Sequence, residues 1–171
     1  MVARPTVIRR PRRARDQRGA VAVEFALIMP MLCLLVFGII EFGFMLNRDM
    51  IVGNASRDGA RAGSLADTYV DICKSIKDEL KGSGIPVPNA ATPTNGNCAV
   101  DAASKTTILI DCKKVDGTAC NATAASYDGL ALSGATSIIK VTYKHTLITP
   151  FISSMLGDVV ILEQSTQMRV E

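Results

Sequence analysis

Residues 18–25 read Arg-Gly-Ala-Val-Ala-Val-Glu-Phe and contain groups whose spacing could support a chemical step. If the chain is cut after Gly19, Ala20 acquires a free α-amine, which has an ordinary pKa of about 8. Glu24 follows four residues later, on the same face of a helix, and an acid is favoured near a helix N-terminus. Its carboxylate could therefore neutralise the amine of its own chain or of a neighbouring chain. The alternative is that Glu24 is an ordinary acid at the edge of an apolar segment.

The five cysteines are the other reactive side chains. Cys33 lies within the apolar segment and is expected to be a small buried thiol. The other four fall in the part that we predict to lie outside the cytoplasm, where disulfides persist, and four cysteines allow three connectivities. We favour the pairs Cys112–Cys120, which closes a loop containing Gly117, and Cys73–Cys98, which ties a predicted helix to the loop after it.

Metal binding and catalysis are poorly supported by the remaining residues. A zinc site competes with the disulfides, but there is no C-x2-C pair and His145 is the only histidine. That histidine is expected to be a structural or edge residue of a strand. The Gly-Ser-Gly at 82–84 follows a predicted helix and does not precede one, so it is not a phosphate loop. We therefore expect no enzyme activity, no cofactor and no metal.

An apolar segment must position the motif at residues 18–25. No charge occurs from Phe25 to Ile40, and Glu24 and Glu41 are the only interruptions between Ala20 and Leu46. A helix rises about 25 Å between the two glutamates, close to the roughly 30 Å hydrocarbon core of a bilayer. We predict a transmembrane helix over 20–46; the run is too long for a cleaved signal sequence. Glu41 is expected at the outer interface with no amine nearby, so its substitution should be mild.

The charge of the chain indicates its orientation. Residues 1–18 contain seven arginines and one aspartate, whereas the remainder has 12 basic and 15 acidic residues. Because basic residues flanking a span remain in the cytoplasm, we predict a cytoplasmic leader at 1–19 and an extracytoplasmic domain at 47–171. No motif for nucleic-acid binding accompanies the arginines, so no nucleic-acid partner is expected.

The region after the span predicts an α+β fold. Apolar spacings of three, four and seven predict that the first helix continues to about residue 62 and that a second helix runs from an N-cap at Asp67 to Lys81. Three strands of a small antiparallel sheet with one solvated face follow; they are predicted at Thr106–Asp111, Ser137–His145 and Val159–Met168.

Two arginines form a basic strip on the outward part of the first helix. Arg57 and Arg61 are one helical turn apart. The strip could be a solvated face near lipid headgroups, or it could dock another protein.

Two blocks of the sequence resemble a known family. Glycine, four apolar residues and Glu24-Phe25 form the pattern cut by type IV prepilin peptidases, which implies cleavage between Gly19 and Ala20. The block at 18–65 resembles the TadE-like family of minor pilin-like proteins, in which an AVEFAL–P–LL–FGIIEFG core precedes an N-A-x-R-x-G-A-R-A segment. The matching residues of that segment are Asn54, Ala55, Arg57, Gly59, Ala60, Arg61 and Ala62. The last 35 residues also look like the family's ending.

The resemblance implies a role in assembling the bacterial Tad (Flp-type) adhesion pilus or a related secretion system. The expected protein is a minor pilin or pseudopilin of pilin-like fold in the inner membrane, and it could enter the pilus. Its implied partners are the prepilin peptidase, the Tad membrane platform, the major Flp-type pilin and other minor pilins. The alternative is an unprocessed, membrane-tethered structural component of a secretion or adhesion complex.

Overall fold

The computed structural model describes residues 17–65, 67–87, 97–99, 105–120, 127 and 134–171. Most of the predicted leader, residues 1–16, lies outside the described residues. The chain divides into two compact units, residues 1–39 and 40–171, and each is described by itself.

The described part of the first unit is helical. Helix α1 runs from Gln17 to Ser64, and from residue 19 to residue 39 almost all of its side chains are exposed. Pro30 lies inside α1, which continues past it. A helix that is apolar on all sides is stable when lipid or other apolar chains surround it. By length and composition, α1 can cross a membrane, which suggests a single-pass anchor.

The second unit contains a four-stranded antiparallel sheet in the order β1-β2-β3-β4. The strands are Asn97–Ala99 (β1), Thr106–Lys113 (β2), Thr136–Thr146 (β3) and Val159–Arg169 (β4). Buried and exposed residues alternate along β2 and β3. The sheet therefore has one covered face and one solvated face, as the alternation in the sequence predicts.

The C-terminal part of α1 and a second helix form the core with this sheet. Helix α2 runs from Tyr69 to Gly82 and buries one apolar stripe, which includes Ile72, Ile76 and Leu80. These residues belong to the same core as Val52 and Ala55 of α1 and the inward-facing aliphatic residues of β2 and β3. The α+β fold with a long first helix, a second helix and a small antiparallel sheet is confirmed.

Three details of the fold differ from the predictions. The N-cap of α2 is Thr68 and not Asp67, because the Thr68 hydroxyl accepts a hydrogen bond from the Asp71 N–H at 3.2 Å. β1 adds a fourth strand, which at three residues is too short to show alternation. A short helix, Pro150–Leu156 (α3), occupies the Pro-containing connection between β3 and β4.

Candidate functional site

The predicted processing site lies at the exposed start of α1. Gly19 and Ala20 fall in its first turn, since α1 begins at Gln17. A side chain added at Gly19 would meet no atom within 4 Å. Gly19 and Ala20 are both exposed, and cleavage between them stays a prediction.

Glu24 and Phe25 lie one turn further along α1. Both side chains are exposed. A hydrogen-bonding or ionic role for Glu24 inside the first unit is therefore not apparent from its position, and its pairing with the amine of Ala20 stays a prediction.

The N-A-x-R-x-G-A-R-A segment divides into a buried face and an exposed face. Ala55, Gly59 and Ala60 are buried. A Cβ added at Gly59 would lie 2.5 Å from the Ile76 side chain and 3.2 Å from Ile139 Cγ2. Because no such atom is present, α1 approaches α2 and the sheet closely. The small residues of this motif are accounted for by packing.

The arginines of the same segment point to solvent. Arg57 and Arg61 are both exposed, and no hydrogen bond or ion pair to either guanidinium is found among the described residues. Their charges are therefore accessible to a partner. Whether they dock one stays a prediction.

Glu41 is the polar residue whose importance the sequence analysis missed. Its side chain is buried, with a residue exposure of 5%. The Ile148 N–H donates to both carboxylate oxygens at 3.1 Å. The Thr149 N–H and hydroxyl donate to Oε2 at 3.1 and 3.0 Å. Since all these groups are donors, Glu41 acts as an acceptor-only carboxylate that holds the loop between β3 and α3.

His145 completes the surroundings of this carboxylate. Its Nε2 lies 3.4 Å from Glu41 Oε1, which is long for a hydrogen bond and becomes an ion pair if the imidazole is protonated. The residue is buried near the end of β3, and its ring centroid is 6.3 Å from that of Tyr143. The expectation of a structural histidine is consistent with this position.

That substitution of Glu41 is mild for assembly stays a prediction, although the side chain makes contacts that the sequence does not indicate. The sequence suggests an interfacial acid, but the folded chain surrounds it with donors from a loop 107 residues away. The available signal was the cost of an acid in an otherwise apolar run, which implies a buried partner. No local pattern identifies Ile148 and Thr149 as that partner.

The four outer cysteines are positioned as two pairs. Cys73 on α2 is bonded to Cys98 on β1, and Cys112 on β2 is bonded to Cys120. This is the connectivity favoured from the sequence. Cys33 is free and half-buried in α1. Among the described residues, no group of three or more His, Cys, Asp or Glu side chains could hold a metal ion.

Comparison with known protein families gives a match over the first helix. Residues 19–61 match the family described as TadE-like protein, so the predicted resemblance is confirmed over this segment. The match covers the candidate processing site, the apolar part of α1 and all but the last residue of the N-A-x-R-x-G-A-R-A segment. No curated protein and no solved structure matches the chain. The family match points to a protein associated with the Tad pilus.

Proposed function

Taking the TadE-like segment at 19–61 as the premise, we propose that this chain is a membrane-anchored minor pilin or pseudopilin of a Tad (Flp-type) pilus, processed after Gly19. The observation that carries the proposal is the coincidence of three features at the start of α1. The family match begins at Gly19, the glycine is exposed in a first helical turn, and an unbroken apolar helix follows. The alternative is an unprocessed tether with the same anchor.

The length of the mature chain separates the two functions. We expect N-terminal sequencing and intact mass of the native protein, isolated from membranes, to give a chain that begins at Ala20. Gly19→Leu should leave the precursor, whereas Ala22→Leu is a matched control that enlarges another exposed residue of the same helix and should be cut normally. An intact Met1 in cells with active peptidase would favour the unprocessed tether.

Orientation follows from the charge of the leader. We expect a periplasmic reporter enzyme fused after Glu171 to be active and one fused within residues 1–18 to be inactive, because the arginines remain in the cytoplasm. The reverse pattern would contradict both the anchor orientation and the cleavage mechanism.

Glu24 is assigned to assembly. Once Ala20 is the N-terminus, the Glu24 carboxylate can neutralise an α-amine in apolar surroundings, where an unpaired ammonium costs several kcal/mol. Glu24→Gln should leave cleavage intact but reduce pilus formation and crosslinking to other pilin-like proteins. Glu24→Asp keeps the charge and should retain part of both. Normal assembly by Glu24→Gln would show that the acid is only interfacial.

The basic strip of Arg57 and Arg61 is assigned to docking. Arg57 lies 16 residues beyond Glu41, or about 24 Å along the helix axis, which is more than the roughly 8 Å over which salt screens surface charge. A role at the headgroups is therefore less favoured than contact with an acidic surface of another pilus component. Arg57→Glu with Arg61→Glu should reduce crosslinking to partners without changing the stability of the domain.

A further inference from the structure

The loop held by Glu41 lies at the level where the apolar helix ends. Ile40 is the last residue of the uncharged run, and Glu41 binds the N–H groups of Ile148 and Thr149 directly after it. From Glu24 to Glu41 the helix rises about 25 Å, so a bilayer centred on this run has its outer headgroup layer close to Glu41. The loop is therefore placed beside that layer.

Exposed apolar and basic residues lie near this loop and at the same end of the sheet. Ile148 is 66% exposed, and at the start of β4 Val159 is 47% and Ile161 62% exposed. Two lysines lie at the same end of the sheet: Lys144 is the cross-strand neighbour of Ile161, and Lys105 precedes β2. We call these five residues the basal patch.

The basal patch has the composition of a surface that lies on anionic lipid. Apolar side chains enter the region between headgroups and acyl chains, and lysines bind lipid phosphates. The lysines are exposed, and in the part of the chain that the structure describes Lys105 Nζ donates to the Thr146 hydroxyl at 2.7 Å. Among the described residues, the exposed acids nearby are Asp158 and Glu163, and Glu163 is paired with Lys140 at 2.8 Å, so the patch remains net basic.

Exposed apolar residues of α1 near this level also suit lipid. Phe42, Leu46 and Met50 are exposed, with fractions of 57%, 47% and 62%. The exposed apolar surface of α1 thus extends past Glu41, the residue that holds the loop. In addition, the backbone donors of Ile148 and Thr149 are satisfied by the carboxylate, which removes the main cost of placing a loop in a layer poor in water.

We propose that the basal patch is a second membrane contact, through which the domain rests on the outer leaflet of an anionic bilayer. The contact fixes the orientation of the sheet relative to the membrane, and the span alone would not do so. It requires the span but not cleavage after Gly19, so a failure of the processing prediction leaves it intact.

The test uses the absence of tryptophan from the chain. In the full-length protein, reconstituted at one copy per lipid nanodisc, single tryptophans replace Ile148 or Ile161. The matched control is Val115→Trp, since Val115 is 73% exposed and follows the other end of β2, about 23 Å from Thr106. Brominated lipids should lower the tryptophan fluorescence of Ile148→Trp and Ile161→Trp roughly two-fold and leave the fluorescence of Val115→Trp unchanged.

Two outcomes would overturn the proposal. Quenching of Ile148→Trp and Ile161→Trp no stronger than that of Val115→Trp would show that the patch has no contact of its own with lipid. A blue-shifted emission of Ile148→Trp without quenching would mean that protein covers the patch. Replacing zwitterionic lipid by phosphatidylglycerol should increase the quenching. The double variant Lys105→Gln, Lys144→Gln should abolish that increase. Quenching that does not depend on lipid charge would refute the role of the lysines.

Discussion

Removal of the Glu41 carboxylate is the most informative perturbation of this fold. Glu41→Ala deprives the Ile148 N–H, the Thr149 N–H and the Thr149 hydroxyl of an ionised acceptor at 3.0–3.1 Å. Hydrogen bonds to a charged group contribute about 1.5–3 kcal/mol each, and a buried donor left unpaired costs about 1–3 kcal/mol. The loop is only half-buried, so water replaces part of the loss. We expect the loop to lose about 2–4 kcal/mol of local stability.

Glu41→Gln should have a smaller effect in the same direction. The amide retains one oxygen acceptor but removes the charge, and it turns an NH2 group toward donors. We expect a loss of about 1–2 kcal/mol. Comparing the stability of Glu41→Ala, Glu41→Gln and the wild type then separates the contribution of the charge from that of the remaining oxygen acceptor.

Amide hydrogen exchange measures this stability at the residues concerned. A local loss of 2–4 kcal/mol corresponds to an exchange rate about 30- to 1000-fold higher at Ile148 and Thr149 in the detergent-solubilised full chain. Amides in the centre of β3 should change far less, because the sheet retains its register with β2 and β4.

Glu163→Gln is the matched control. Glu163 pairs with Lys140 at 2.8 Å on the solvated face of the sheet, and such exposed pairs contribute about 0–1 kcal/mol. If Glu41→Ala changes exchange at Ile148 and Thr149 no more than Glu163→Gln does, then Glu41 does not hold the loop and the hydrogen-bond argument is refuted.

Three further predictions concern the core, the cysteines and a buried tyrosine. Gly59→Val should lower the free energy of unfolding by about 1–3 kcal/mol more than Gly43→Val, because a side chain at Gly59 displaces Ile76 whereas nothing lies within 4 Å of Gly43; equal effects in denaturant titrations would contradict the close approach of α1. Alkylation without reductant, followed by mass spectrometry, should label at most Cys33, and label at any of the other four cysteines would refute the two disulfides. Burial raises the pKa of Tyr69 to about 12 from 10.0, so the folded chain keeps a proton that the unfolded chain loses. The contribution of Tyr69 to the free energy of unfolding is constant below pH 10, and it falls by up to about 2–3 kcal/mol as the pH rises toward 12. Tyr69→Phe should not show this part of the loss of stability at alkaline pH. The same dependence of stability on pH in Tyr69→Phe and in the wild type would contradict the raised pKa.

Local pattern was sufficient for most of the secondary structure. The apolar run and the spacing after it predict the C-terminal end of α1 within two residues, and the strand signals predict β2, β3 and β4 close to their observed bounds. The charge asymmetry predicts a leader at 1–19, and this division stays a prediction. These features are readable because helix and strand periodicity arise from neighbouring residues and need no information on distant contacts.

The cap of α2 and the short elements required the folded chain. Asp67 and Thr68 are both good N-caps by residue type, and the hydrogen bond to Asp71 N–H selects Thr68. β1 is defined only by its pairing with β2 and by the disulfide that holds Cys98 near α2. A segment of three residues has no period that could predict it.

The site at Glu41 depended entirely on tertiary structure. The sequence by itself determined that an acid ends the uncharged run of α1, that three strands follow a second helix, and that four cysteines lie outside the span. Only the fold decided that the chain returns after β3 to place the N–H groups of Ile148 and Thr149 on that acid. The reason is physical: residue type determines which groups can donate or accept, whereas partners 107 residues apart are selected by how the sheet and α1 pack.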